Sequence, residues 1–149
     1  MNTEHETKRL TLVAVLLAAV LGGCGATNNE PVAIFPEDIC GQCRMAISDE
    51  RFAAEIIDSD GEAYKFDDIG CMVKSRSRHT DMKINAIFLK DYETKEWIPY
   101  ERASIVETSI ETPMGSGKLA FGSAERARVV HERHPAAAKE DGCSIPCGD

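Results

Sequence analysis

Positive charge is scarce in this sequence of 149 residues. It carries 17 lysines and arginines against 25 aspartates and glutamates, which gives a formal net charge of −8. The basic residues form no stripe, and this argues against nucleic acid as a partner. The sequence also lacks internal repeats and a comfortable membrane span, because the apolar run from Leu10 to Gly23 is only long enough for a signal peptide. What remains is one small acidic domain.

The N-terminus has the organisation of an export signal. Lys8 and Arg9 precede the apolar run, which ends in Leu21-Gly22-Gly23-Cys24. This ending resembles the lipobox of bacterial lipoproteins, and the resemblance implies acylation of Cys24 and cleavage just before it. Position 25 is glycine rather than aspartate, so nothing argues for retention at the inner membrane. We therefore expect a lipid-anchored protein that faces the periplasm, at the outer membrane.

The chain is expected to divide into four parts. Residues 1–23 form the lipoprotein signal peptide, and residues 24–35 form the lipid anchor and a polar tether. The folded domain is expected over residues 36–134. The cysteine-containing tail, residues 135–149, is expected to be poorly ordered.

Hydrophobic periodicity within the domain predicts both strands and helices. The predicted elements are two strands within Phe52–Phe66 joined at Asp60-Gly61, a helix capped by Asp67 or Asp68, strands near Ile84–Tyr92, Trp97–Tyr100, Ala103–Ile110 and Leu119–Phe121, and a helix capped by Ser123. This order predicts an α+β fold, a small single domain with an antiparallel sheet and packed helices.

Three sulfur-bearing residues lie within "DICGQCRMA", namely Cys40, Cys43 and Met45. Gly41 is expected to take positive φ in the turn between the cysteines. An extended chain after Cys43 would point its thiol and the Met45 thioether the same way. Thiolate plus thioether is a soft ligand set that favours Cu(I) over harder divalent ions.

Other interpretations of these cysteines remain open. Without Cys24 the sequence has five cysteines, so they cannot all pair within one chain. A Cys40–Cys43 disulfide or redox pair is plausible outside the cytoplasm. A zinc site is disfavoured because one Cys-x-x-Cys pair supplies only two ligands and no histidine has a spacing that completes the set.

The remaining candidates have less specific patterns. Cys71 and Met72 lie in the predicted first helix, where core packing is the better interpretation, and Asp67 and Asp68 fit a helix cap better than a ligand pair. His131 and His134 fit a solvated helix face, and the sequence does not decide between a disulfide and an auxiliary copper site for Cys143 and Cys147.

The order of motifs along the chain resembles the NosL family. The matching stretches are Cys-x-x-Cys-x-Met after a lipobox, "FDDIGCM", "EW", "TPMGSGKLAF" and "SAERA". The resemblance implies a fold related to the core of organomercurial lyase. It also implies a periplasmic Cu(I) metallochaperone, without enzymatic turnover, that delivers copper for the copper centres of nitrous oxide reductase or to its maturation complex.

The resemblance also implies a ligand set for Cu(I). Cys43 and Met45 match the most persistent Cys-x-Met piece of the family, Cys40 matches a more variable cysteine, and Met114 matches a Pro-Met-Gly stretch. Arg44 stands where the family usually has glycine. Two other functions compete: a periplasmic thiol–disulfide reductase that keeps a partner's copper-ligand cysteines reduced, and a lipoprotein whose cysteines are only structural.

Overall fold

A computed structural model describes residues 29–137 of the chain. Within it the helices and strands follow the order β1 Ala54–Asp58, β2 Ala63–Phe66, α1 Ile69–Arg78, β3 Ile84–Lys90, β4 Trp97–Pro99, β5 Ser104–Glu107, β6 Lys118–Phe121 and α2 Ala124–Arg133. Single 3₁₀ turns at Glu50–Phe52 and Tyr100–Arg102 precede β1 and β5. Neither ten-residue helix of this part is long and apolar enough to cross a membrane. Cys24, Cys143 and Cys147 lie outside the described residues.

The larger sheet has four antiparallel strands in the order β2-β1-β3-β4. Its first hairpin turns at Gly61, which adopts φ +83° as the Asp60-Gly61 signal predicts. Side chains of β1, β3 and α1 meet in the main core, where Ile56, Met72 and Leu89 are fully buried. The α+β class with antiparallel strands and packed helices is therefore confirmed.

The strands divide into two sheets rather than the single one expected. β5 and β6 form a separate antiparallel pair, which meets the larger sheet where Asp91 bridges to Ala120. The Asp91 carboxylate secures this junction, because its Oδ2 accepts the Gly122 N–H at 2.7 Å and its Oδ1 accepts two N–H groups of the following turn. A side-chain junction of this kind leaves no periodic signal in the sequence.

Both predicted helix caps are present. The Asp68 side chain accepts the Gly70 N–H at the start of α1, and Ser123 accepts the Arg126 N–H at the start of α2. The buried face of α2 centres on Ala127, which packs with Phe121 in a second, smaller core. Each cap satisfies a backbone donor that would otherwise have no partner in the first turn.

The chain before β1 lies along the outer edge of β2. The Gly41 N–H donates to the Lys65 carbonyl at 2.8 Å, and the Lys65 ammonium donates to the Ala33 carbonyl and to Asp38 at 2.7 and 2.6 Å. The Val32 N–H donates to the buried Glu55 carboxylate. These contacts hold the cysteine-bearing loop against the sheet.

Candidate metal centre

The two cysteines of the motif lie on a tight reverse turn. Ile39 pairs with Ala46 in an antiparallel bridge, and the Cys40 N–H donates to the Met45 carbonyl at 2.8 Å. The Arg44 N–H donates to the Cys40 carbonyl at 3.1 Å, which closes the turn. Cys40 is therefore fixed at the base of the turn, and Cys43 lies near its end.

The backbone of this turn differs from both sequence expectations. Gly41 does not take positive φ; Arg44 does, at +67°, because the chain must reverse there to bring Met45 back opposite Cys40. The chain after Cys43 is consequently not simply extended. This conformation suits glycine better than arginine. The Met45 side chain that follows this turn is exposed, with 59 % of its surface accessible.

Four potential metal ligands gather beneath the turn. The sulfurs of Cys40, Cys43 and Cys71 and a carboxylate oxygen of Asp67 all lie within 4.8 Å of one another. Cys40, Cys71 and Asp67 are buried, and Cys43 is partly exposed at the rim. All three cysteines are free thiols, so the Cys40–Cys43 disulfide considered above is not formed in this structure. We call these four residues the thiol pocket.

The junction between β2 and α1 supplies half of the thiol pocket. β2 ends at Phe66 and α1 begins at Ile69, so Asp67 lies between them and Cys71 lies in the first helical turn. The hydrogen bond from Gly41 to Lys65 then places the cysteine loop over this junction. The N-terminal end of a helix carries partial positive charge, which favours a thiolate or carboxylate there.

Hydrogen bonds and burial set the resting state of the thiols. The Cys43 thiol donates to Asp67 Oδ2 at 3.3 Å. Burial raises the pKa of Cys43 to about 11; the Met45 N–H opposes this rise, and Cys40 and Asp67 add to it. Burial, followed by the proximity of Asp67 and Cys40, raises the pKa of Cys71 as well. Both side chains are therefore protonated at neutral pH, and a bound metal ion would have to displace their protons.

The Asp67 carboxylate is only partly satisfied. Among the residues that the structure describes, its Oδ1 is buried without a hydrogen-bond partner. A buried oxygen in this state costs about 1–3 kcal/mol, and buried polar atoms without partners are rare in folded proteins. Because a carboxylate oxygen of the same residue lies among three thiols, Asp67 can serve as a metal ligand together with them.

The loop that carries Met114 is tied to the same helix start. Thr112 Oγ1 and the Met114 N–H both donate to Asp68 Oδ2, at 2.6 and 3.2 Å. Packing there is close, since a Cβ on Gly70 would lie 2.6 Å from the Cβ of Ser116. Met114 and Cys43 both pack, half-buried, against the core cluster that contains Cys40 and Cys71.

Two members of the pocket were assigned other roles from the sequence. Cys71 was expected to pack in the core; it is buried there, but its sulfur also faces the other two thiols. Asp67 and Asp68 were both considered as caps, but only Asp68 caps the helix. A helix has one N-cap residue, so only one of the two aspartates in "FDDIGC" can cap α1. The presence of the other aspartate in the sequence could have indicated a role for it as a metal ligand.

His131 in α2 and His134, the residue that follows the helix, are not part of this arrangement. Both are exposed, as the solvated-face interpretation predicts, and His131 Nδ1 lies 2.8 Å from the Glu107 carbonyl.

Comparison with known proteins gives three findings. The family model NosL matches residues 31–137. The chain is 26 % identical over 157 residues to the "Copper-binding lipoprotein NosL" of Stutzerimonas stutzeri, a match that covers 90 % of this chain and 78 % of that protein. The fold matches the crystal structure of the copper chaperone NosL from Shewanella denitrificans with a TM-score of 0.64 and 15 % identity, covering 73 % of this chain and 90 % of the other.

Proposed function

We propose that this chain, which belongs to the NosL family, is a copper chaperone. The observation that carries the proposal is the partly exposed Cys43 thiol, which lies at the rim of a buried group of thiols and two residues before the exposed Met45. The relative described as a copper-binding lipoprotein and the similar fold described as a copper chaperone support it.

The cargo is Cu(I), bound by Cys43, Met45, Met114 and Cys40. Cys43 supplies the anchoring thiolate, and the Met45 backbone N–H favours the ionised form of this thiol. Thioethers are neutral, soft ligands that suit Cu(I). Asp68 holds the Met114 loop beside this group. Cys40 is the innermost of the four and is fully buried.

Transfer proceeds by ligand exchange. Met45 is the most accessible ligand, so a soft donor of the recipient replaces its thioether first and forms a shared intermediate. The remaining ligands, including Cys43 at the rim of the pocket, exchange after it. No step requires the free ion, because each bond to copper breaks as another forms.

The recipient is nitrous oxide reductase or its maturation complex, and the chaperone reaches it from a membrane. Acylated Cys24 anchors the chain, and the domain faces the periplasm from the outer membrane. The protein carries copper without enzymatic turnover. Its formal charge of −8 suits a cationic cargo.

A thiol–disulfide reductase is the competing function. Reductases use a cysteine whose pKa is lowered, whereas burial raises the pKa of Cys43 to about 11. A reductase would also require both Cys40 and Cys43 and would not require Met45. These requirements make the two functions separable by single substitutions.

Four single variants test the copper proposal: Cys43→Ser, Cys40→Ser, Met45→Leu and Met114→Leu. Cu(I) affinity is measured on the reduced full-length protein by competition with a chromophoric Cu(I) chelator. Cys43→Ser should abolish tight binding, and each methionine variant should weaken it about tenfold, or 1.4 kcal/mol. Met→Leu nearly preserves apolar volume, so folding should hardly change.

Met82→Leu is the matched control. Met82 packs against the same core cluster, but it follows α1 at the opposite end from Cys71, so its replacement should leave Cu(I) affinity unchanged. Delivery is measured separately, as copper transfer to the metal-free reductase. Unchanged Cu(I) affinity in Cys43→Ser would refute the chaperone site.

A further inference from the structure

We propose that Cys40, Cys43, Cys71 and Asp67 form a second, closed binding mode, in which the thiol pocket takes a divalent ion of the zinc class. The sequence argued against zinc because one Cys-x-x-Cys pair supplies only two ligands. The fold supplies the other two from the junction of β2 and α1. Cys71 and Asp67 are thus ligands of this mode.

The geometry suits a four-coordinate ion. Zinc binds cysteine sulfur at about 2.3 Å in a tetrahedron, which separates neighbouring sulfurs by about 3.8 Å. The four ligand atoms here lie within 4.8 Å of one another without any ion between them. The distances between the ligand atoms would have to shorten by about 1 Å or less for all four to bind one ion. A small movement of Cys43 can provide this, because its turn lies at the rim of the pocket.

The carboxylate distinguishes this binding mode from the Cu(I) site. Cu(I) prefers sulfur ligands, and a carboxylate oxygen adds little to its binding. Zinc accepts carboxylate oxygen together with thiolates. Asp67 Oδ1 is buried and, within residues 29–137, has no hydrogen-bond partner, so a divalent ion would satisfy it.

Charge favours the same choice. Three thiolates and one carboxylate leave a net charge of −2 around a divalent ion but −3 around Cu(I), and uncompensated charge is costly in a buried pocket. The first turn of α1 adds partial positive charge beside Cys71. The full set of four anionic ligands therefore suits a divalent ion better.

The two binding modes exclude each other because both use Cys40 and Cys43, a consequence that rests on the proposed copper function. Met45 and Met114 belong only to the Cu(I) site, and Asp67 and Cys71 belong only to the closed mode. A divalent ion in the thiol pocket would therefore block Cu(I) loading until it is displaced.

Cobalt(II) provides an optical test, because a four-coordinate cobalt thiolate absorbs strongly in the visible range and a six-coordinate aqueous ion does not. The probe is added to reduced full-length protein in the Cys143→Ser/Cys147→Ser background, which removes the cysteines of the tail. One equivalent of Co(II) should give thiolate charge-transfer and tetrahedral bands, and Zn(II) should displace it.

Single variants then locate the ion. Asp67→Asn and Cys71→Ala should each weaken Co(II) binding at least tenfold, whereas Met45→Leu and the half-buried control Asp58→Asn, at the last residue of β1, should leave it unchanged. Metal-free circular dichroism confirms the fold of each variant, and Cys71→Ser replaces Cys71→Ala if the alanine variant does not fold. A six-coordinate spectrum in the parent, or unchanged affinity in Asp67→Asn, would overturn the proposal.

The two proposals fail separately. If Cys43→Ser leaves Cu(I) affinity unchanged while Asp67→Asn abolishes Co(II) binding, the closed mode stands and the copper site is wrong. If Met45→Leu weakens Cu(I) binding while Co(II) gives no thiolate bands, the copper site stands and the closed mode is wrong.

Discussion

Replacing Asp68 by asparagine tests how one side chain holds the helix start and the Met114 loop together. Its Oδ1 accepts the Gly70 N–H, and its Oδ2 accepts Thr112 Oγ1 and the Met114 N–H. The residue is fully buried, so water cannot replace a lost partner. Asparagine keeps the shape but turns one of the two acceptor oxygens into a donor.

The expected loss of stability follows from these contacts. If the remaining oxygen faces the Met114 loop, α1 loses its cap and the buried Gly70 N–H is left unpaired, at about 1–3 kcal/mol. The opposite orientation leaves the Met114 N–H unpaired at a similar cost. The free energy of unfolding should therefore fall by about 1–3 kcal/mol, which lowers Tm by roughly 4–12 °C in a domain of this size.

Thermal unfolding of the reduced, metal-free protein measures this loss, with Ser123→Ala as the control. Ser123 caps the other helix at an exposed position, so its replacement should cost only about 0.5–1 kcal/mol. Asp68→Asn should also weaken Cu(I) binding, because the Met114 loop loses its attachment. Stability of Asp68→Asn within 0.5 kcal/mol of the parent, or a loss no larger than that of Ser123→Ala, would refute the reasoning.

Three further predictions concern other parts of the chain. Burial opposes ionisation of Asp91, but the N–H groups of Gly122 and its own turn more than offset it and lower its pKa. The ionised carboxylate therefore stabilises the fold above the unfolded pKa of about 3.9, and this stabilisation is lost as the pH falls through the lower folded pKa. Asp91→Asn should lower the free energy of unfolding at pH 7 and lower it much less near pH 2, as measured by urea unfolding. Arg44→Gly should raise the free energy of unfolding by about 0.5–1 kcal/mol, because it relieves positive φ, whereas Arg44→Val should lower it; a destabilised glycine variant would contradict the assigned turn. Cys24→Ser should abolish acylation and membrane partitioning, and mass spectrometry that finds an unmodified, differently cleaved N-terminus in the parent would contradict the lipobox assignment.

The fold class could be predicted because its signals are local. The Asp60-Gly61 turn, the Asp68 and Ser123 caps and the apolar strand near Ile84 each depend on residues close in sequence. The division into two sheets could not be predicted, because the Asp91 junction depends on contacts with Gly122, 31 residues away. Strand periodicity reports burial but not which strand lies beside which.

The candidate site could be predicted only in part. The sequence predicts that Cys40 and Cys43 lie together, because they are only three residues apart, and their sulfurs are close in the structure. Asp67 and Cys71 were missed because the pairing of Gly41 with Lys65 brings them to the loop, and the sequence does not show that long-range contact. The turn also differs from the sequence expectation, since positive φ falls on Arg44 rather than on Gly41.

The position of the cysteine loop has a consequence for self-association. β2 is an edge strand, and an edge strand offers unpaired backbone groups to any other chain that can add a strand. The loop covers that edge, since Gly41 occupies the Lys65 carbonyl while Ala33 and Asp38 hold the Lys65 side chain. The segment that carries the thiols therefore also shields the sheet from aggregation. If oxidation of Cys43 displaced the loop, the edge of β2 would be exposed and could pair with a strand of another chain while the core remains folded.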